Sequence, residues 1–131
     1  MKVLHVDTAR GWRGGQNQAL LTARGMAARG HDVLLACQAG GALACRAHEA
    51  GLAVETLRFR GDLGPGAALS LRRLVSRFRP DALQLHDPHA LVPGLFAARG
   101  GARCVAIRRV DFPLRGPLSR AKYRRCARVI A

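Results

Sequence analysis

Short apolar runs alternate with longer amphipathic segments along this 131-residue chain. Most of the runs are four or five residues long, which is typical of strands that are buried on both faces of a parallel sheet. They occupy residues 3–6, 33–37, 54–57, 82–85, 104–107 and 129–131. We therefore expect six short strands, the first of which begins the fold.

The segments between these runs carry apolar residues at helical spacing. The periodicity of residues 16–29 predicts a first helix that Gly30 ends. Further helices are predicted at about 40–50, after Pro65, at 91–99 and at 118–125. In the helix after Pro65 the residues predicted to face inward are Leu69, Leu71, Leu74, Val75 and Phe78. Buried strands that alternate with helices predict an α/β fold, a Rossmann-like doubly wound parallel sheet with helices on both faces.

The charge of the chain first suggests a polyanionic partner. Twenty-two Lys and Arg residues oppose eight Asp and Glu residues, which gives a formal net charge of +14. However, 20 of the 22 cations are arginines in a chain rich in Ala and Gly, which resembles the codon bias of a GC-rich genome. Aromatic residues make up only 5% of the chain, and base-stacking surfaces need them. We therefore expect no nucleic-acid partner.

The cysteines and the amino terminus bear on localisation. The four cysteines form no C-x-x-C pair, and Cys37 and Cys104 lie in apolar runs, where they are expected to be core residues. The first seven residues do not have the pattern of a signal peptide, and no apolar stretch approaches the ~18 residues of a spanning helix. These features favour a cytoplasmic protein.

The loop after the first strand is the first candidate site. Gly14 and Gly15 immediately precede the first predicted helix, where backbone amides and the positive helix end favour an anion such as phosphate. The spacing Gly11-x-x-Gly14-Gly15 is neither the dinucleotide-binding G-x-G-x-x-G motif nor a P-loop. The loop by itself is equally compatible with an ordinary connection between strand and helix.

Read together with its neighbours, this loop carries a resemblance that extends over nearly the whole chain. The ordered set of motifs resembles the amino-terminal domain of family 4 glycosyltransferases of the GT-B architecture. The motifs are 2–6, Gly11-Trp12-Arg13-Gly14-Gly15-Gln16, Arg29-Gly30-His31-Asp32-Val33, Ala50-Gly51-Leu52-Ala53-Val54, Arg79-Pro80-Asp81-Ala82-Leu83-Gln84-Leu85-His86, Arg108-Arg109-Val110-Asp111-Phe112-Pro113 and 123–131.

The resemblance implies an enzyme of two Rossmann-like domains with the active site between them. Such enzymes move a sugar from a nucleotide-sugar to a glycan or lipid-linked acceptor with retention and without a metal or other cofactor. Residues 1–131 would be the single acceptor-side domain, and the nucleotide-sugar-binding domain would be missing after it. We expect this chain alone to transfer no sugar, and we expect the complete enzyme to act in cell-envelope polysaccharide biosynthesis. The resemblance assigns no catalytic residue to this half.

Seven residues are candidates for substrate binding. The resemblance places Gly14, Gly15 and Gln16 against the donor phosphates or the acceptor. His86 and Asp87 follow the fourth strand, where they would face the cleft, although either would also serve to cap the next helix. His89 is a weaker candidate, and the two histidines have no third ligand at a spacing that suits a metal.

Arg109 and Asp111 follow the fifth strand at the same edge. The Arg109 side chain would clamp a phosphate or carboxylate, whereas Arg108 is expected to be structural. Asp111 would either accept hydrogen bonds from the acceptor or pair with these arginines.

The last predicted helix is strongly basic. It would lie on an anionic membrane at the inner face, or it would simply be a solvated surface. The alternative to a transferase domain is a non-catalytic, basic Rossmann-like module that binds nucleic acid or another anionic ligand.

Overall fold

The computed structural model describes residues 1–60, 64–109 and 113–131. These residues form six strands and five α-helices in strict alternation. The strands are β1 (Lys2–Asp7), β2 (Asp32–Gln38), β3 (Ala53–Leu57), β4 (Ala82–Leu85), β5 (Arg103–Ile107) and β6 (Arg128–Ile130). The helices are α1 (Gly14–Ala28), α2 (Ala42–Glu49), α3 (Pro65–Phe78), α4 (Leu91–Ala97) and α5 (Pro117–Arg124). Short 3₁₀ turns precede and follow α4 at Pro88–Ala90 and Ala98–Gly100.

The strands make one parallel sheet in the order β3-β2-β1-β4-β5-β6. The order reverses between β1 and β4, which pair in register from Val3 with Ala82 to Val6 with Leu85. This is the Rossmann order, in which the reversal opens a crevice at the carboxyl ends of the two central strands. The predicted fold class is confirmed.

Each face of the sheet has its own hydrophobic cluster. On one face α1 and α2 cover β2 through residues such as Ala19, Leu35 and Leu43. On the other face α3 and α4 cover the central strands through residues such as Leu71 and Leu83. Cys37 and Cys104 are buried in these clusters, as predicted. The sheet is therefore doubly wound, and the residues of both central strands are buried or half-buried.

Two local features refine the sequence interpretation. The prediction that Leu69 faces inward is wrong, since its side chain is 49% exposed; the inward stripe of α3 consists of Ala67, Leu71, Leu74 and Val75. The helix predicted over 91–99 ends at Ala97 and tightens into a 3₁₀ turn.

Candidate functional site

The crevice between β1 and β4 brings the ends of three chain segments together. The backbone N–H of His86 donates to the Val6 carbonyl at 2.9 Å, so β4 continues its pairing with β1 to the very edge of the sheet. Asp7 ends β1, and Arg109 follows the end of β5. The side chains of Asp7, His86 and Arg109 therefore leave the sheet at the same edge.

Two buried histidines face each other across this crevice. His5 lies in β1 and His86 follows β4; they are 1% and 5% exposed. His5 Nδ1 lies 2.9 Å from His86 Nε2, and the two rings are stacked with their centroids 5.1 Å apart. Their separation of 81 residues in sequence is closed by the pairing of β1 with β4.

Arg109 connects the histidine pair to the first helix. Its Nη1 donates to the Gly15 carbonyl at 2.8 Å, and its Nη2 lies 2.9 Å from His86 Nδ1. A guanidinium only donates hydrogen bonds, so His86 Nδ1 must accept and the proton of His86 must be on Nε2. That proton is donated to His5 Nδ1, which places the remaining His5 proton on Nε2. His5 Nε2 is buried without an acceptor among the described residues.

Both histidines are held neutral in this arrangement. Burial lowers the pKa of His5 from 6.5 to about 4. Burial also lowers the pKa of His86 well below 6.5, and the neighbouring His5 and Arg109 lower it further. The positive charge of this cluster is therefore that of Arg109 alone. His86 accepts a hydrogen bond from the Arg109 guanidinium and so orients it, and neither histidine adds charge.

Gln16 and Asp7 tie the first turn of α1 to the end of β1. The Gln16 amide donates from Nε2 to both carboxylate oxygens of Asp7, at 3.3 and 3.2 Å, and its Oε1 accepts from the Arg13 N–H at 3.2 Å. Burial and then the Asp87 charge raise the pKa of Asp7, whereas the hydrogen bonds from Ala9 and Gln16 lower it. The buried Gln16 side chain thus holds the loop before α1 to the end of β1. Its contact with substrate stays a prediction.

Asp87 organises the turn after β4. Its carboxylate accepts from Thr8 through the backbone N–H and the hydroxyl, each at 2.7 Å. It also accepts from the N–H groups of His89 and Ala90, at 2.9 and 3.2 Å. The capping role that the sequence allowed for Asp87 is therefore present, and Asp87 additionally fixes the loop after β1. Its contact with substrate stays a prediction.

The first turn of α1 is open to solvent in front of this cluster. A Cβ at Gly14 would meet no atom within 4 Å, and one at Gly15 would meet Arg109 Nη1 at 3.6 Å. The turn contains no acidic residue, and no side chain at the N-cap position caps it. The first N–H groups of a helix have no partner within it, so this turn can donate to an anion beside Arg109.

The other residues considered for the site are His89, Asp111 and Trp12. His89 is exposed on the 3₁₀ turn, and Asp111 lies outside the described residues. Trp12 of the glycine loop packs against the α1/α2 cluster, with the Arg46 guanidinium 4.0 Å from its ring centroid. Within the described ranges, no three His, Cys, Asp or Glu side chains are grouped to hold a metal ion.

His5 was not among the residues predicted for the site. It lies within the first predicted strand, and the structure places its side chain against His86. The available signal was a histidine in the middle of a strand predicted to be buried on both faces, because a buried polar side chain needs a partner. The partner could not be named without the strand order.

The fold and the site together define a Rossmann-like domain whose ligand edge lies at the carboxyl ends of β1 and β4. Residues 12–131 match the model of Glycosyltransferase Family 4. The chain belongs to this family, so the predicted resemblance is confirmed. No curated protein sequence matches this one.

Solved glycosyltransferases share the fold at low sequence identity. The Acinetobacter baumannii MurG structure superposes with a TM-score of 0.77 at 19% identity, covering 98% of this chain and 41% of that one. Anabaena HepE in complex with UDP gives 0.63 at 21% identity, covering 82% of this chain and 29% of that one. The spinosyn rhamnosyltransferase SpnG with thymidine diphosphate gives 0.60 at 21% identity, covering 95% and 39%.

This chain therefore spans less than half the length of these structural relatives. It matches one Rossmann-like half-domain of the GT-B architecture. None of the helices in the described part of the chain combines the length and the apolar character that crossing a bilayer would require.

Proposed function

We propose that this chain is the acceptor-side domain of a retaining, metal-independent glycosyltransferase. The enzyme would move a sugar from a nucleotide-sugar to a glycan or lipid-linked acceptor, and its nucleotide-binding domain would be a second domain outside these 131 residues. Family membership supports the reaction class. The observation that carries the proposal is the Arg109 guanidinium held beside the open first turn of α1, in the crevice between β1 and β4.

This arrangement suits the diphosphate of a nucleotide-sugar. Arg109 supplies a full positive charge, and the amides of Gly14 and Gly15 supply donors at the positive end of α1. As the sugar leaves, negative charge grows on the diphosphate, and donors that are already in place stabilise it without a metal ion. The structures of HepE and SpnG contain UDP and thymidine diphosphate, and such nucleoside diphosphates are what a nucleotide-sugar donor leaves behind after transfer.

The test is a titration of the ¹⁵N-labelled chain with UDP and with inorganic pyrophosphate. We expect saturable shifts of the Gly14 and Gly15 amides, and a Kd at least about 10-fold weaker in Arg109→Gln, the loss expected for a charge-assisted hydrogen bond. Arg24→Gln, an exposed change of equal charge on α1, is the control and should leave the Kd within about twofold. Shifts spread over all basic surfaces, or equal loss in both variants, would contradict the proposal.

The proposal also predicts that the 131 residues turn over no sugar by themselves. Transfer needs donor and acceptor held together in one closed cleft, and this chain supplies one wall of it. Release of UDP from UDP-glucose in the presence of candidate acceptors is the measurement. Turnover by this chain would show that the acceptor-side assignment is wrong.

The alternative, a non-catalytic basic module, rests on the net charge of +14. A duplex-binding protein loses affinity steeply with salt because it displaces counterions from phosphates. We expect no measurable binding of short DNA at about 0.15 M salt. Binding that is tight there and falls with a steep salt slope would favour the alternative.

Peripheral contact with an anionic membrane is a further part of the proposal, and one surface supports it. A groove of about 790 Å³ runs between α4 and α5; its apolar lining includes Val92, Leu95 and Phe96. Leu118 at its edge is 78% exposed, and four cations also line it: Arg99, Arg103, Lys122 and Arg125. Apolar side chains within a basic rim are typical of surfaces that bind anionic bilayers.

Vesicle sedimentation tests this contact. Vesicles with about a third anionic lipid should sediment the chain and neutral vesicles should not. Leu118→Glu should weaken the binding, whereas Leu69→Glu, an exposed leucine on α3, should not. Equal effects of both variants would remove the membrane surface from the proposal.

The cytoplasm is the compartment that the proposal assigns, at the inner face of the membrane. All four cysteines are free, and Cys45 is exposed. Free thiols of this kind persist in a reducing compartment.

A further inference from the structure

A second basic cluster occupies another part of the same edge of the sheet. Arg10, Arg58 and Arg60 line one cavity of about 370 Å³, together with Gln38 and Gly40. The cavity lies at the carboxyl ends of β2 and β3, and β3 is two strand spacings, about 10 Å, from β1. The cluster therefore faces the same side as the Arg109 crevice but is separate from it.

The backbone that carries Arg58 and Arg60 is firmly anchored. Phe59 between them is buried in the core, whereas both arginines are exposed. The buried Gln38 side chain donates to the Phe59 carbonyl at 3.0 Å and accepts from the Phe59 N–H at 2.7 Å. The side chains of Arg58 and Arg60 thus extend toward solvent from a backbone segment that Gln38 holds in place.

Arg10 is anchored on the opposite wall by the start of α2. Its carbonyl accepts from the Ala42 N–H at 3.0 Å. A Cβ at Gly41 would lie 3.0 Å from the Gln38 carbonyl oxygen and 3.2 Å from that of Ala9, so the loop after β1 packs closely against the end of β2. This open cavity is therefore bordered by three segments that are joined by hydrogen bonds and close packing.

The charge in this cavity is not balanced by the described part of the protein. The lining residues include no carboxylate. The ion pairs found among the described residues join Lys2 to Asp32 and Arg77 to Glu55, so they involve none of the three arginines. Three cationic side chains line this one cavity, so an anion bound there would be attracted by all three. Their planar forks match the oxygens of a phosphate group.

We propose that Arg10, Arg58 and Arg60 bind a phosphate group of the acceptor, so that the acceptor is a phosphate-bearing molecule. This inference rests on the proposed acceptor-side role of the domain. A neighbouring cavity of about 600 Å³ shares Arg58 and Arg60 and extends to the first turn of α3 at Pro65. The phosphate occupies the smaller cavity, and the remainder of the acceptor has room in the larger one. The phosphate belongs either to a free sugar phosphate or to a lipid-linked one.

Glucose 6-phosphate is the probe for the free form, and glucose is its uncharged control. We expect glucose 6-phosphate to shift the Gly40 and Phe59 amides, with no response to glucose. The double variant Arg58→Gln/Arg60→Gln should weaken this binding at least 10-fold. The matched double variant Arg24→Gln/Arg73→Gln removes the same charge from exposed helix surfaces and should leave the binding within twofold.

Vesicles that contain undecaprenyl phosphate are the probe for the lipid-linked form. Binding that depends on Arg58 and Arg60 in either arm supports the proposal, and the arm in which it occurs identifies the source of the phosphate. Equal loss in both double variants, or no dependence on these arginines in both arms, overturns it.

UDP binding by the same variants separates this proposal from the proposed function. The variant Arg58→Gln/Arg60→Gln should keep the UDP-induced shifts of Gly14 and Gly15 with a Kd within twofold. One outcome is that UDP binds in this way while the binding of glucose 6-phosphate and of the vesicles is the same in Arg58→Gln/Arg60→Gln as in the unmodified chain. In that case the phosphate subsite is wrong and the proposed function stands. If the arginines bind phosphate but UDP leaves Gly14 and Gly15 unshifted, the donor role of the Arg109 crevice is wrong.

Discussion

The buried histidine pair makes a quantitative prediction about acid sensitivity. His5 is 1% exposed and has a pKa of about 4 in the folded protein, against 6.5 for the free side chain. Between these values the unfolded chain binds a proton that the folded protein does not, so the free energy of unfolding falls as the pH falls. The contribution of His5 is fully present above pH 6.5 and is lost as the pH drops toward 4.

The magnitude follows from the size of the pKa shift. At 1.36 kcal/mol per pKa unit, a shift from 6.5 to about 4 corresponds to about 3.4 kcal/mol in total, of which about 2.5 kcal/mol is lost between pH 7.5 and 4.5. The lowered pKa of His86 acts in the same direction. The raised pKa of Asp7 acts in the opposite direction, because its folded form binds a proton more readily than the unfolded chain.

His5→Asn isolates the contribution of His5 from this background. The Asn Oδ1 can replace His5 Nδ1 as the acceptor for His86, and the variant no longer titrates at this position. Urea unfolding at pH 7.5 and at 4.5 should show a drop in the free energy of unfolding that is about 2.5 kcal/mol smaller in His5→Asn than in the unmodified chain. His48→Asn, at an exposed histidine, should keep the full drop. An equal drop in His5→Asn and the unmodified chain would refute the neutral buried pair.

Two further predictions concern the supports of the site. Gly94→Ala should lower the free energy of unfolding, measured by urea titration, by about 1–3 kcal/mol, because its Cβ would lie 2.5 Å from a methyl carbon of the buried Leu85 side chain. The control is Gly25→Ala on α1, where a Cβ would meet no atom within 4 Å. This change should raise the free energy of unfolding by up to about 1 kcal/mol. Asp87→Ala should cost about 2 kcal/mol and speed hydrogen exchange at the Thr8 amide, whereas Asp87→Asn retains an acceptor and should cost less. An unchanged free energy of unfolding in Gly94→Ala would show that the close packing of Gly94 on Leu85 does not contribute to stability. An unchanged exchange rate of the Thr8 amide in Asp87→Ala would show that the Asp87 carboxylate does not hold the loop after β1.

The strands could be read from the sequence because a parallel sheet buries its strands on both faces. Runs such as 33–37 and 104–107 contain no polar residue, and each lies within the strand that forms. The inward face of α3 was predicted less accurately, because Leu69 has the right spacing for a helix stripe but lies beyond the edge of the covered face. Burial of a helix face is set by the sheet beneath it, which periodicity alone does not describe.

The candidate site was predictable only where it depends on chain position. Gly14, Gly15, His86 and Arg109 were selected because the carboxyl ends of parallel strands share one edge, and the structure places all four at that edge. The partnership of His5 with His86 depends on β1 lying beside β4, and no local pattern records that adjacency. The arginine cavity depends in the same way on the loop after β1 meeting the ends of β2 and β3.

The central claim is that the crevice between β1 and β4 binds the diphosphate of a sugar donor. A crystal structure of this chain grown with a nucleoside diphosphate such as UDP tests it most directly. We expect the diphosphate at the first turn of α1, within hydrogen-bond distance of the Gly14 and Gly15 amides and of the Arg109 guanidinium. A diphosphate bound to the basic surface of α3 or α5, with none in the Arg109 crevice, would contradict donor binding at this site.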